Sequence, residues 1–244
     1  TQDVVGYNLI PDILIHGSPC QNFSIAGRQE GGDKGSNTKS SLMWETINII
    51  NQMGEWKPKV VIWENVKNVL SKHMIHNFNL YLSEMDSMGY TNSYEVLNAL
   101  DFGLPQRRER VFTISMLNGI KFNFNKLERK AYRPISEFLE DTTEDKYIVT
   151  QQSILKKINN SNSKFKGKIY IIEDYCMTIT TKQMRCPNSG VIDLKDGRYR
   201  YLTERECWRL QGYEDEDFEA ALKSNPSREG KLNGALYKQA GNSI

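Results

Sequence analysis

Three short apolar runs, each meeting a residue able to do chemistry, constrain this chain more than any other feature. Ile13-Leu14-Ile15 leads to Gly17-Ser18-Pro19-Cys20-Gln21, and Val60-Val61-Ile62-Trp63 leads to Glu64-Asn65-Val66. Gln106-Arg107-Arg108-Glu109-Arg110 leads into Val111-Phe112-Thr113-Ile114-Ser115. Such runs read as buried strands of an α/β sheet, which place their chemistry at strand carboxyl ends. A lone cysteine after an apolar run is more often a small core residue than a nucleophile. Here a thiol, a carboxylate and guanidinium groups each abut a strand end, which favours the nucleophile, because a turn and nearby cations lower a thiol pKa.

The pattern between these runs alternates helix and strand. The first strand is expected at about 12–17, then an exposed glycine-rich loop over 24–41 holding Gly27, Gly31, Gly32 and Gly35. Met43, Ile47 and Ile50 predict a helix over 40–53; Phe78, Leu82 and Met85 predict another over 74–88. Strands are expected at about 93–99 and 110–117. The connection between them is too short for a parallel crossover, so they read as antiparallel neighbours. That arrangement would turn Arg108 and Arg110 toward Cys20 and Glu64. From 120 onward come short strand-like pieces, Tyr147-Ile148-Val149 and Ile169-Tyr170-Ile171-Ile172, with an Asn/Ser loop over 159–163. Thr203-Glu204-Arg205-Glu206 has the form of a capping box, opening a helix that Gly212 ends.

A chain of 244 residues with 39% hydrophobic residues can bury one large core and a smaller one. No apolar run approaches membrane-spanning length and no signal peptide is recognisable, so a cytoplasmic protein away from membranes is expected. Cys20, Cys176, Cys186 and Cys207 lack paired spacing and read as reduced thiols. His73 and His76 stand at HxxH spacing without a third ligand, so no metal site is expected. A thiol hydrolase would need a histidine partner, and neither these nor His16 sits in a motif. Residues 146–200 carry eleven Lys or Arg against four Asp or Glu in a chain of net charge +2. A basic segment on a mildly acidic body suits attraction to phosphates at one face.

Taken in order, Pro19-Cys20-Gln21, Glu64-Asn65-Val66, Gln106-Arg-Arg-Glu-Arg110, Arg200-Tyr-Leu-Thr-Glu-Arg-Glu206 and Gly241-Asn242-Ser243 resemble the DNA (cytosine-5)-methyltransferases. The likeness spans nearly the whole chain apart from a variable stretch at about 120–195. It implies a Rossmann-like class I methyltransferase sheet with a small, mostly β target-recognition domain. On that reading residues 1–119 are part of the catalytic domain, 120–197 the recognition domain, and 198–244 the return to the catalytic domain. The implied partner is double-stranded DNA, the implied methyl donor S-adenosylmethionine, and a cognate restriction system is a natural companion.

The resemblance also implies roles. Cys20 would add to C6 of a cytosine flipped out of the duplex, and Glu64, its pKa raised by burial, would serve N3. Arg110 would reach the base O2 and orient Glu64, with Arg108 beside it, leaving Arg107 as the exposed structural arginine. Gln21, Ser24 and Arg28 would meet DNA, as would Thr178, Thr180, Lys182 and Arg185 of the recognition segment. Pro19, Leu42, Asn242 and Ser243 would touch the donor. The family's Phe-x-Gly-x-Gly loop and the acidic residues after it are not found, so the chain reads as lacking the N-terminal strands. It is then expected to bind the donor weakly by itself and to leave the first strand's edge open. Two other readings follow: a DNA-binding fragment that needs a partner polypeptide, and a tRNA cytosine-5 methyltransferase, against which the basic segment and the missing Cys-Phe-Thr element speak.

Overall fold

The computed structural model describes residues 10–19, 22–23, 30–141, 143–159 and 168–243. They form two compact units, one holding the chain up to residue 97 and residues 109–128, the other holding 98–108 and 129 onward.

The first unit is built on a four-stranded mixed sheet. Its strands are β1 (Ile13–Gly17), β2 (Val60–Val66), β3 (Tyr90–Asn98) and β5 (Glu109–Leu117), in the order β1-β2-β5-β3. The two-residue β4 (Gln106–Arg107) precedes β5 and belongs to the second unit. β1 runs parallel to β2, and β5 runs antiparallel to it, with Val66 opposite Arg110. Helix α1 (Met43–Met53) buries Met43, Trp44, Ile47, Ile50 and Met53. Helix α2 (Ile75–Ser87) buries Phe78, Tyr81 and Met85. Both pack into one core with Val61 and Trp63 of β2 and Val111 of β5. The predicted helices and strands thus occupy their expected places.

Two expectations need correction. The apolar run of β1 is not buried on both faces: Ile13 is 56% exposed and Ile15 67% exposed. Successive side chains of a strand point to opposite faces of the sheet, and the face that carries Ile13 and Ile15 is not covered by the described residues. Gly31 and Gly32 lie inside rather than on an exposed loop. A Cβ on Gly32 would stand 2.5 Å from the Phe23 ring, and its carbonyl accepts from Trp44 Nε1 at 2.7 Å. The absence of a side chain is what lets this stretch pass into the core.

In the second unit, β4 pairs in parallel with β6 (Cys176–Met177), and β7 (Ile192–Asp193) pairs antiparallel with β8 (Tyr199–Arg200). Isolated bridges tie Ile148 to Arg200 and Ile171 to Val191. Helix α3 (Gln152–Asn159) stands where the pattern shows only polar spacing; it buries Ile154 and Ile158 against Val149, Ile169, Val191 and Tyr201. Helices α4 (Glu204–Arg209), α5 (Asp215–Ser224) and α6 (Gly234–Asn242) enclose the other core of this unit, built on Leu202, Cys207, Leu210, Leu236 and Tyr237. The Thr203–Glu206 capping box is formed, and Gly212 takes φ +88° just beyond α4.

Candidate functional site

In the first unit the chemistry gathers at the carboxyl end of β2 and the start of β5. Glu64 and Arg110 lie on adjacent strands one diagonal step apart, and both side chains are largely buried. Arg110 Nε meets Glu64 Oε1 at 2.9 Å, while Arg110 Nη1 donates to the Glu109 carbonyl at 2.9 Å. The guanidinium is therefore held by two fixed acceptors, and Glu109 takes its own partner in Lys67 at 2.8 Å. A neighbouring acid does not divert Arg110 from Glu64.

Beside them the end of β1 is tied down. Ser18 Oγ accepts from Trp63 Nε1 at 2.9 Å and from Asn65 Nδ2 at 3.1 Å. The Pro19 carbonyl accepts from Ser40 Oγ at 2.7 Å. Beyond residues 20–21, Asn22 is buried; its N–H donates to the same Ser40 Oγ at 3.1 Å, and its carbonyl accepts from Gly31 N at 3.2 Å. Cys20, Gln21, Ser24 and Arg28 themselves lie outside the described residues. Leu42, at the entrance to α1, is 52% exposed.

In the second unit Arg108 is buried on main-chain carbonyls. Its Nη1 donates to Ile179 at 3.3 Å and its Nη2 to Ser243. The expectation that Arg108 shares the work of Arg110 thus meets a side chain with carbonyl partners of its own. Arg107 is exposed, and its carbonyl accepts from Thr178 Oγ1 at 2.9 Å. Thr180 Oγ1 is buried and makes no hydrogen bond among the described residues. Lys182 and Arg185 are exposed, in a form able to meet an anion. Asn242 is exposed, whereas the Ser243 hydroxyl donates to the Gln239 carbonyl at 3.1 Å.

Two residues of this unit matter more than their sequence context tells. Gln106 is fully buried; its Nε2 donates to the Leu210 carbonyl at 2.8 Å and its Oε1 accepts from Ile179 N at 3.0 Å. It fixes the stretch after β6 that carries Thr178 and Thr180. Gly241 packs so closely on the chain at 180–181 that an added Cβ would lie 2.3 Å from Thr181 N and 2.4 Å from Thr180 C. No periodicity signals either contact, because both join segments far apart in the chain.

The other thiols are poor competitors for a nucleophile's role. Burial pushes Cys176 up to about 12 and lifts Cys207 well above the ordinary thiol range. Cys186 is exposed and donates to Asn188 Oδ1 at 3.2 Å.

The family model for C-5 cytosine-specific DNA methylases matches residues 5–244. The type II methyltransferase M2.ScrFI of Lactococcus lactis subsp. cremoris is 37% identical over 244 residues; the match takes in 96% of this chain and 63% of the relative. The type II methyltransferase M.HhaI of Haemophilus parahaemolyticus is 30% identical, with 96% of this chain and 72% of the relative matched. Among solved structures, the Entamoeba histolytica methyltransferase EhMeth superposes with a TM-score of 0.71 at 18% identity, over 100% of this chain and 75% of that one. The Dnmt2 methyltransferase of S. pombe gives 0.67 at 18% identity, over 96% and 74%. These likenesses support a Rossmann-like methyltransferase fold. The chain spans just under two thirds of the length of its ScrFI relative.

Proposed function

The chain belongs to the C-5 cytosine-specific DNA methylase family, and from that premise we propose that it methylates C5 of cytosine in duplex DNA, with Cys20 as nucleophile. The observation that carries this reading is the Glu64–Arg110 pair, set at the end of β2, where Asn65 also holds Ser18 just ahead of the Pro19-Cys20-Gln21 motif in the sequence. Cytosine C5 is a poor nucleophile until the ring's conjugation is broken. The Cys20 thiolate adds to C6, a sulfur–carbon bond forms, and the C5–C6 π pair moves onto C5. Glu64 answers the charge that develops on the ring by serving N3, and Arg110 holds the Glu64 carboxyl group while presenting its remaining N–H donors to the base O2. After C5 takes the methyl group, a proton leaves C5 and the Cys20 sulfur leaves C6, which restores the aromatic ring.

S-adenosylmethionine is the proposed donor; it would supply the methyl group as its methyl–sulfonium bond breaks, the electron pair staying on sulfur and S-adenosylhomocysteine leaving as the neutral thioether. Of the four residues expected to touch it, Leu42 and Asn242 are exposed and open to a ligand. The Pro19 carbonyl and the Ser243 hydroxyl already have partners inside the protein. Leu42 would offer an apolar surface and Asn242 an amide. Thr178, Thr180, Lys182 and Arg185 are proposed to meet DNA, with the exposed cations on phosphates. The reading places residues 120–197 as the recognition segment. The type II designation of the relatives supports a restriction system as the setting. No helix among the described residues is long and apolar enough to cross a membrane, and a cytoplasmic location is part of the proposal.

The test is transfer of labelled methyl from S-adenosylmethionine to a random-sequence duplex DNA pool, compared with bulk tRNA. The reading expects label in 5-methylcytosine of the DNA, lost in Cys20→Ala and strongly reduced in Glu64→Gln. Label in tRNA with none in DNA would replace the proposed substrate.

A further inference from the structure

The parallel ladder between β4 and β6 pairs Arg107 with Met177 and goes no further. Beyond it the hold on the chain involves side chains, and Gln106, Arg107 and Arg108 each take part. Thr178 Oγ1 donates to the Arg107 carbonyl at 2.9 Å, and Ile179 N donates to Gln106 Oε1 at 3.0 Å. Arg108 Nη1 donates to the Ile179 carbonyl at 3.3 Å. Both backbone groups of Ile179 are thus bonded to side chains from one short segment, and its own side chain is buried.

Arg108 reaches a second element with the same fork. Its Nη2 donates to the carbonyl of Ser243, the residue that closes the carboxyl end of α6, where a cation suits the helix dipole. That helix is anchored in its own right. Tyr237 Oη donates to the Leu202 carbonyl at 2.7 Å, and the Leu236 carbonyl accepts from Trp208 Nε1 at 3.1 Å. The Ala240 carbonyl accepts from Gln211 Nε2 at 2.7 Å. Gly241 of α6 lies against residues 180–181 with no room for a side chain. The Arg108 guanidinium therefore ties the carbonyl midway between Thr178 and Thr180 to a fixed helix end. It is buried, which leaves it little surface to offer a duplex directly, whereas Lys182 and Arg185 are exposed.

We propose that Arg108 is a positioning residue for DNA recognition, its planar fork fixing the Ile179 carbonyl against α6 and so setting where Thr178 and Thr180 meet base edges. This rests on the reading of Thr178 and Thr180 as DNA contacts. Arg108 touches neither base nor phosphate; it acts through the backbone between the two threonines. Phosphate contacts supply the sequence-independent part of affinity, and base contacts supply discrimination. Losing the fork should therefore cost discrimination and spare binding to duplex DNA at large.

The experiment selects bound duplexes from a random-sequence pool with the full chain and identifies the enriched sequence. Kd is then measured for that duplex and for a scrambled duplex of equal length. Arg108→Met, which keeps an unbranched apolar stem, and Lys182→Ala are compared with the unaltered chain. Arg108→Met is expected to lose about tenfold or more of the preference for the enriched duplex, with Kd for the scrambled one changed less than about threefold. Lys182→Ala is expected to weaken both duplexes alike. Protection of Cys176 and Cys207 from alkylation reports folding, since both are buried in the unit that holds Arg108. If Arg108→Met exposes those thiols, Arg108→Lys is measured in its place. It keeps the buried charge without the planar fork, and a loss of preference of about threefold or more is expected. A folded Arg108 variant with undiminished preference overturns the inference and leaves the proposed function standing. One that weakens both duplexes equally also overturns it, because Arg108 would then supply affinity and not position. If the unaltered, folded chain enriches no sequence, there is no recognition to position and the inference fails; methyl transfer to the pool decides separately whether the proposed function fails with it.

Discussion

Glu206 offers the sharpest quantitative test of how the second unit is held together. Its side chain is fully buried and Arg200 is 5% exposed. Arg200 reaches it with both terminal nitrogens, Nη1 to Oε2 at 2.8 Å and Nη2 to Oε1 at 2.9 Å. The same two oxygens accept from Thr203 N at 2.8 Å and from Glu140 N at 2.9 Å. Each oxygen thus serves one guanidinium N–H and one backbone N–H. Glu206→Gln keeps the shape but replaces one oxygen with a donor, which must then face two donors. Breaking a buried pair from one side costs about 3–5 kcal/mol, because the surviving charge loses its partner. For a chain of this size that corresponds to a fall in Tm of roughly 6–20 °C. Urea and thermal unfolding followed by tryptophan fluorescence and circular dichroism measure it, with Trp208 of α4 as a reporter inside the same unit. The double variant Arg200→Met with Glu206→Met should lose less than the two single variants summed, since no charge is then stranded. A loss below about 1 kcal/mol in Glu206→Gln, or strict additivity in the double variant, would refute the reasoning.

Three further outcomes are expected. Burial lowers His16 to about 4, its ring stacked on Trp63 and within bonding distance of Tyr81 Oη and Thr46 Oγ1. The unfolded chain takes up that proton first as pH falls, so the stabilisation is complete above about 6.5 and is lost between 6.5 and 4, about 3 kcal/mol in all; His16→Gln should flatten that part of the stability–pH curve, and an unchanged slope would contradict it. Gly241→Ala forces the chain at 180–181 to move and should cost about 1–3 kcal/mol in urea unfolding, whereas an unaltered midpoint would mean that this close approach is readily relieved. Arg110→Lys keeps the charge but loses the rigid fork between Glu64 and the Glu109 carbonyl; methyl transfer should fall about a hundredfold with little change in Tm, and near-normal transfer would remove Arg110 from its proposed role.

What the sequence discloses follows from the range of the interactions. Strands β1, β2 and β5 and helices α1 and α2 are legible because apolar spacing is local, as is the capping box at Thr203. The outward faces of Ile13 and Ile15 are not legible, because an apolar run reads as covered on both faces whether or not it is. Helix α3 is hidden because Gln152–Asn159 is short and mostly polar, with Ile154, Leu155 and Ile158 alone setting its inward side. Glu64 and Arg110 can be picked out singly, but their contact depends on the antiparallel register of β5 against β2. The bridge through Ser40 and the clamp through Gln106 are the hardest to foresee. Each is a side chain bonded to backbone groups that local spacing does not bring together.

The central claim is that Cys20 attacks the cytosine ring, and a covalent trap tests it most directly. A random-sequence duplex pool carrying 5-fluorocytosine is incubated with the full chain and S-adenosylmethionine at saturating concentration, then resolved under denaturing conditions. Fluorine at C5 blocks the final proton loss, so the sulfur–C6 bond persists. The account predicts a denaturation-resistant protein–DNA adduct that mass spectrometry maps to Cys20 and that Cys20→Ala does not form. An adduct mapped to Cys186, or one that Cys20→Ala forms as readily, would contradict it.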